Sequence, residues 1–315
     1  MKKILKLLLF LSLVFIIVSN MVLYNHAYNF THFVDKDIPK ITTQSVKQKS
    51  LEDRLKLAFF GVELPKSSNN FEPQRPFKTV VIGKNPQLHT WWMPIKAKPK
   101  GVVLLFHGYT SKKSNLLNQA YVLQNLGYHC LLVDFRAHGD SEGLETTIGY
   151  KEAEDVKLCY DYIQKQYPKL PIVLFGTSMG AVSILKAVHD YDLQAHKLIL
   201  ECPFKDMYTA VLQRFRRFKL PTVALPDVLL FWGDWQTGIK SRGHSSVVYA
   251  QAVDIPTLLL YGAKDQRVDR SEIDAVLAAL AGPKELVVFK GAGHDHIIDD
   301  VEKEWTGTVW DFLED

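Results

Sequence analysis

The sequence predicts an α/β fold, a mainly parallel sheet covered by helices on both faces, with a small inserted cap. Three observations predict it. Apolar runs of strand length alternate with helix-length segments from residue 101 onward, and crossovers of that kind return the chain to the same end of a sheet, which makes neighbouring strands parallel. The central run "GVVLLFHG" is apolar without alternation, the pattern of a strand buried on both faces. The stretch "GTSMG", Gly176 to Gly180, falls between the apolar run "PIVLF" and a helix, where flanking glycines allow a sharp turn that lifts Ser178 above the sheet edge.

The elements follow in chain order. Lys2, Lys3 and Lys6 precede an apolar segment from Leu7 to Tyr24, whose 18 residues reach about 27 Å as a helix, nearly the thickness of a bilayer core. This reads as an uncleaved membrane anchor over residues 1–32. The alternatives are a signal removed on secretion, for which Ala27 is the cleavage residue on offer, and a helix buried in the fold. The lysines place the amino terminus in the cytoplasm and the rest of the chain outside it, periplasmic or extracellular; Lys36, Asp37 and Lys40 are too mixed in charge to reverse that. Residues 33–77 are a polar, Pro-rich connector touching the domain at one point, with a short helix whose apolar face is Leu51, Leu55, Leu57, Ala58 and Phe59.

The domain proper spans 78–315. "FKTVVIG" and "LHTWWMPI" are two extended segments either side of a turn, followed by "GVVLLFHG". Helices are predicted at 112–126, 150–166, 178–189, 271–281 and 297–313. Strands alternate with them at 129–135, 171–176, 196–202, 255–262 and 285–291. Residues 203–252 do not read as a simple crossover. Met207, Val211, Leu212, Phe215 and Phe218 recur at helical spacing, and Phe231, Trp232 and Trp235 follow in a compact apolar stretch, so this is the cap. Its basic run, Arg214, Arg216, Arg217 and Lys219, reads as a solvated helix face, with membrane headgroups as the next reading.

Composition excludes several classes. At 47% hydrophobic residues the chain builds a large core, and the net charge of +4 from 38 basic and 34 acidic residues, spread along the sequence, argues against a nucleic-acid partner. Cys130, Cys159 and Cys202 show neither a disulfide framework nor C-x-x-C metal spacing.

A serine attacks an acyl carbon only if a base takes its proton and an acid holds that base. Asp265 follows the strand ending near Tyr261, and His294 follows the next strand in "FKGAGHDH", where Gly291 and Gly293 suit a tight loop. The order Ser178, Asp265, His294 suits strand-end loops converging on one site. His296 opens the last helix in this reading, and Glu201 is the rival acid. For the oxyanion, the backbone N–H groups of Tyr109, in "FHGYT", and Met179, at the helix amino terminus, are the expected donors. His107 braces the loop, and Ser111 and Asn115 are candidates for substrate contact or for capping. A zinc reading of "HDH", or of His138 with Asp140, leaves the elbow unexplained.

Together, "FHGYT", "DFRAHGDSEG", "FGTSMG", "YGAKDQRV" and "GAGHDH" resemble the α/β-hydrolase superfamily, in particular serine hydrolases grouped with monoacylglycerol lipases and serine aminopeptidases, over residues 78–313. The resemblance implies an α/β-hydrolase fold and a triad of Ser178, Asp265 and His294. It implies that Arg136, His138, Gly139 and Ser141 shape a loop beside the site. The function to expect is hydrolysis of carboxylic esters with an apolar acyl group through an acyl-enzyme, on a small-molecule or lipid-like substrate. Peptidase or amidase activity, or a noncatalytic binding role, are the alternatives. No metal or organic cofactor is implied.

Overall fold

The computed structural model describes residues 1–36, 49–295 and 297–315, so Asp37, Lys40 and His296 lie outside the described residues. Helix α1 (Lys2–Thr31) leads through strand β1 (Phe33–Val34) to α2 (Leu51–Phe60) and β2 (Leu64–Pro65), which pairs in parallel with β1. There follow β3 (Lys78–Ile82), β4 (Leu88–Met93), β5 (Gly101–Phe106), a 3₁₀ turn (Lys113–Leu116), α3 (Leu117–Asn125), β6 (Tyr128–Val133), α4 (Glu152–Gln166), β7 (Ile172–Thr177), α5 (Met179–Tyr191) and β8 (Lys197–Glu201). The inserted segment holds α6 (Met207–Arg217), α7 (Leu225–Thr237) and α8 (Ser246–Ala250). β9 (Thr257–Gly262), α9 (Arg270–Ala279), β10 (Lys284–Phe289) and α10 (Ile297–Glu314) complete the chain. From β3 onward the predicted sheet and flanking helices agree with these to within two residues at each end, except that the helix expected at 112–126 opens as the 3₁₀ turn and becomes α-helical only at Leu117.

Among the described residues, β3 to β10 form one sheet in the order β10-β9-β8-β7-β5-β6-β4-β3. β4 runs antiparallel to its neighbours β3 and β6, and every other pair is parallel. β5 is the centre: Val102 to Phe106 are wholly buried, each stabilising the fold by about 2 kcal/mol. From β5 the chain passes to β6 on one side and then to β7 on the other. This reversal opens a crevice at the carboxyl ends of β5 and β7, the place where open α/β sheets bind ligands. The register pairs Phe106 with Gly176, so the loop after β5 lies beside the turn that carries Ser178.

Three features differ from the sequence reading. Helix α8 packs on α5 and belongs to the body of the domain, leaving α6 and α7 as the cap. The connector does more than touch once: Ser67 donates to the Ser111 carbonyl and accepts from the Gly139 N–H, Lys66 donates to the Ser141 carbonyl, and Asn69 donates to Asp134. Its helix α2 forms, capped by Ser50, but buries none of its residues; it is held by Asn25 and Asn29 of α1, whose amides donate to the carbonyls of Phe59 and Phe60.

The third difference concerns α1. Its first turns, through Val18, are exposed, whereas its second half packs across the cap. Leu23 and Ala27 form a buried cluster with Phe215 of α6 and Leu229 of α7. The Trp232 indole stands edge-on to Tyr24 and donates to Asn20. Gln236 donates to the Tyr24 carbonyl. Helical spacing explains why α1 does this: Leu23, Ala27 and Phe30 lie on one face, at intervals of four and three.

Candidate active site

Ser178 sits at the turn from β7 to α5 with φ 52° and ψ −113°, a conformation that costs a non-glycine residue about 1–3 kcal/mol and persists only when its surroundings fix it. The flanking glycines explain how. A Cβ on Gly180 would lie 2.3 Å from the Phe106 carbonyl oxygen, and one on Gly176 would lie 2.6 Å from the Gly180 carbonyl carbon. The strand and helix therefore meet closely enough to hold the turn, and the Ser178 N–H donates to the Glu201 carbonyl at 2.8 Å.

The three residues expected to act together are brought together. Ser178 Oγ lies 3.0 Å from His294 Nε2, and His294 Nδ1 lies 2.6 Å from Asp265 Oδ2. The other carboxylate oxygen, Asp265 Oδ1, accepts from the N–H groups of Arg267 and Val268 at 2.7 and 3.0 Å. Burial opposes the charge on Asp265, but His294 and these two N–H donors outweigh it and hold the carboxyl below the usual carboxylate range.

Glu201, the rival acid, is wholly buried one strand away, and its oxygens are taken by Trp305 Nε1 at 2.7 Å and Thr177 Oγ1 at 2.9 Å. Burial pushes its carboxyl up to about 7, against the pull of those two donors. His294 therefore takes Asp265 as its partner.

The loop after β5 is fixed from below. His107 is buried, with Nδ1 2.8 Å from the Gly108 carbonyl oxygen and Nε2 accepting from the Phe135 N–H at 3.2 Å. Burial drives its pKa well below 6.5, so it braces the loop as a neutral ring. Lys113 makes a buried ion pair with Asp134 at 2.5 Å and reaches Asp140 at 2.6 Å, a brace that sequence reasoning missed although "DFRAHGD" contains both acids. In the same segment Arg136 pairs with Asp155, the Ser141 hydroxyl donates to the Asp134 carbonyl, and His138 accepts from the Thr110 N–H. Among the described residues, the N–H groups of Tyr109 and Met179 have no hydrogen-bond partner. Both residues line the cavity with Ser178.

Cys202, Asp265 and His294 are close enough to consider as metal ligands. Burial raises the Cys202 thiol well above its ordinary value, so it offers no thiolate, and the other two are engaged with each other. The second zinc grouping is equally committed, Asp140 to Lys113 and His138 to the Thr110 N–H.

Above Ser178 lies a cavity of about 740 Å³. Its floor is the sheet edge and its walls come from the cap and from α1, which contributes Ala27, Phe30 and Thr31. The wall is fastened to the site: the Tyr109 hydroxyl donates to the Phe30 carbonyl at 2.6 Å. Ser111 and Asn115 also line the cavity, with the Asn115 amide donating to Ser111 Oγ. Of the cap residues singled out by spacing, Met207, Val211 and Phe218 reach the cavity, and Phe215 packs on α1 instead. Phe231 and Trp235 point outward, 57% and 74% exposed. Arg214, Arg216, Arg217 and Lys219 are all exposed, as a solvated helix face requires, and Arg214 and Arg217 also border the cavity.

The family model described as serine aminopeptidase, S33, matches residues 97–242. The uncharacterized protein YqkD of Bacillus subtilis is 25% identical over 67% of this chain and 70% of its own length. The monoglyceride lipase of Mus musculus is 35% identical over 50% of this chain and 52% of its own. Among solved structures, the Pyrococcus furiosus esterase Pf2001 superposes with a TM-score of 0.64 at 25% identity, covering 79% of this chain and 98% of that one. The fold is that of the α/β-hydrolases, and the matches support a hydrolase of the esterase- and lipase-like class. Within it, the chain resembles the group of monoacylglycerol lipases and serine aminopeptidases.

Proposed function

We propose that the chain is a serine hydrolase that cleaves carboxylic esters with an apolar acyl group through an acyl-enzyme intermediate. The observation that carries this reading is the hydrogen-bonded series Ser178–His294–Asp265 at the floor of a largely apolar cavity. Ser178 Oγ attacks the ester carbon while His294 Nε2 takes its proton. Asp265 holds the ring through Nδ1–H and stabilises the imidazolium. The tetrahedral oxyanion is met by the N–H groups of Tyr109 and Met179, each worth about 3 kcal/mol at the transition state. The alcohol leaves with the proton from His294, and water, deprotonated by the same ring, releases the acid and restores Ser178. Amide cleavage uses the same groups, and the description of the matched family model favours it as the second reading. A fluorophosphonate probe that labels the wild type but not Ser178→Ala is the expected result; equal labelling of both sinks the assignment.

The substrate in this reading is lipid-like, and α1 stays attached as an anchor. Its length and composition suffice to cross a membrane. Ala27, the residue a signal cleavage would use, is buried against the cap. The cap also exposes Phe218, Leu220, Val223, Phe231 and Trp235, apolar groups on or next to the helix that packs on α1, as a membrane-facing surface would. The basic start of α1 favours a cytoplasmic amino terminus. A topology reporter fused after Asp315 should then read outside the cytoplasm, with the protein retained in membranes after an alkaline wash.

A further inference from the structure

Helix α1 ends against the loop that carries Tyr109, and two of its last carbonyls are capped from the site. A helix leaves its final four carbonyl groups without partners of its own. In α1 the Phe30 carbonyl accepts from the Tyr109 hydroxyl at 2.6 Å, and the Thr31 carbonyl accepts from the Thr146 N–H at 2.8 Å. The Thr146 hydroxyl lies in turn 4.0 Å from Met179 Sδ. One helix end therefore reaches both residues expected to supply oxyanion donors. Tyr109 depends on this tie more than its neighbours do. Beside it, Thr110 holds φ 56°, a left-handed conformation that is strained for a β-branched residue and persists only where its surroundings fix it. Those neighbours have fixings of their own: His107 donates to the Gly108 carbonyl, His138 accepts from the Thr110 N–H, and Ser67 donates to the Ser111 carbonyl. Among the described residues, Tyr109 makes one hydrogen bond, through its hydroxyl to α1. Burial pushes its phenol up, so the hydroxyl keeps its proton and donates. The Phe33 ring, just past α1, stands 5.9 Å from the Tyr109 ring.

We propose that the Tyr109 side chain is a positioning residue for the reaction: by bonding to the Phe30 carbonyl it holds its own backbone N–H on the oxyanion, so the hole is complete only while α1 is seated on the cap. This rests on the esterase reading and adds what places one of its donors. The seat is apolar, Leu23 and Ala27 buried against Phe215 and Leu229, and the bond at Phe30 carries the position of that seat to the loop. A donor acts on the transition state only from the right place, and a displacement of about 1 Å is enough to lose most of its effect. An N-terminal helix composed like an anchor thus sets the geometry of the catalytic step as well as the wall of the cavity.

The test uses the full chain in neutral detergent micelles, with p-nitrophenyl butyrate as substrate and a trifluoromethyl ketone of the same chain length, whose adduct with Ser178 carries the charged oxygen. Tyr109→Phe keeps the ring and removes the hydroxyl alone. It should lower kcat by about tenfold with KM changed by less than about twofold, and weaken the ketone by about the same factor as kcat. Ala27→Arg forces a long charged side chain between Phe215 and Leu229 and unseats α1. Its kcat loss should not multiply with that of Tyr109→Phe in the double variant, because both break one contact. Multiplied losses overturn the coupling to α1. A raised KM with kcat and ketone affinity intact makes Tyr109 a packing residue of the wall and overturns its positioning role; this readout decides alone if Ala27→Arg does not fold. If the wild type cleaves the ester in a Ser178-dependent way and Tyr109→Phe equals it, the positioning role fails while the esterase reading stands; a wild type that does not cleave the ester sinks both.

Discussion

Asp265 and Glu201 show how much two carboxylates at neighbouring strand ends can differ. Glu201 ends β8 and Asp265 follows β9, and the sequence offers both as partners for a histidine. Asp265 faces His294 and two N–H donors and is held charged, whereas Glu201 is enclosed beside Trp305 and rises to about 7. A carboxyl whose folded pKa lies above its unfolded value stabilises the fold relative to higher pH: the benefit is complete below about pH 4.5 and is lost as pH rises through about 7. Glu201→Gln keeps the shape, can accept from Trp305 through its amide oxygen and can donate to a rotated Thr177 hydroxyl. Relative to the wild type, its thermal midpoint should therefore gain as pH is raised from 5 to 8, by a free energy on the order of 3 kcal/mol at the upper end. A constant difference between the two proteins across that range would show that Glu201 does not titrate in it.

At the scale of elements, the β7–α5 turn depends on contact distances that only glycine meets. Gly180→Ala puts a methyl group against the Phe106 carbonyl, which belongs to a central strand and cannot retreat. The strain should destabilise the domain by about 2–3 kcal/mol, seen as an earlier urea midpoint, and should displace Ser178 enough to lower kcat. Unchanged stability and turnover would mean that α5 shifts freely, contrary to its burial on nearly every side. The turn was legible in the sequence because its glycines and its place after a strand are local signals. The Lys113–Asp134 brace was not, because a buried ion pair between residues 21 apart depends on the loop packing back over β6.

The whole molecule joins α1 to the cavity, and two truncations separate the roles of its halves. Removing residues 1–18 deletes most of the exposed apolar part and leaves Leu23, Ala27 and Phe30 in place. Such a protein should leave the membrane fraction while keeping its thermal midpoint and its turnover of a soluble short-chain ester. Removing residues 1–32 strips a wall from the cavity and uncovers Phe215 and Leu229. Loss of Leu23 burial alone costs about 2 kcal/mol, so the midpoint should fall and KM for longer acyl chains should rise. If both truncations behave alike, α1 is an anchor and nothing more.

By itself the sequence determined the order of strands and helices, the elbow at Ser178 and the chain order of Ser178, Asp265 and His294, because each is written in periodicity or in a few adjacent residues. Tertiary structure decided what depends on residues distant in the chain. Trp305 and Thr177 occupy Glu201. The cap buries Phe215 of α6 against α1 and leaves Arg214 and Arg217 exposed at the rim of the cavity, with the Arg214 guanidinium over the Phe30 ring. A segment whose composition suits a bilayer also walls the cavity above Ser178, because its last turns place Leu23, Ala27 and Phe30 on one face, and whether that face meets lipid or protein depends on what folds against it.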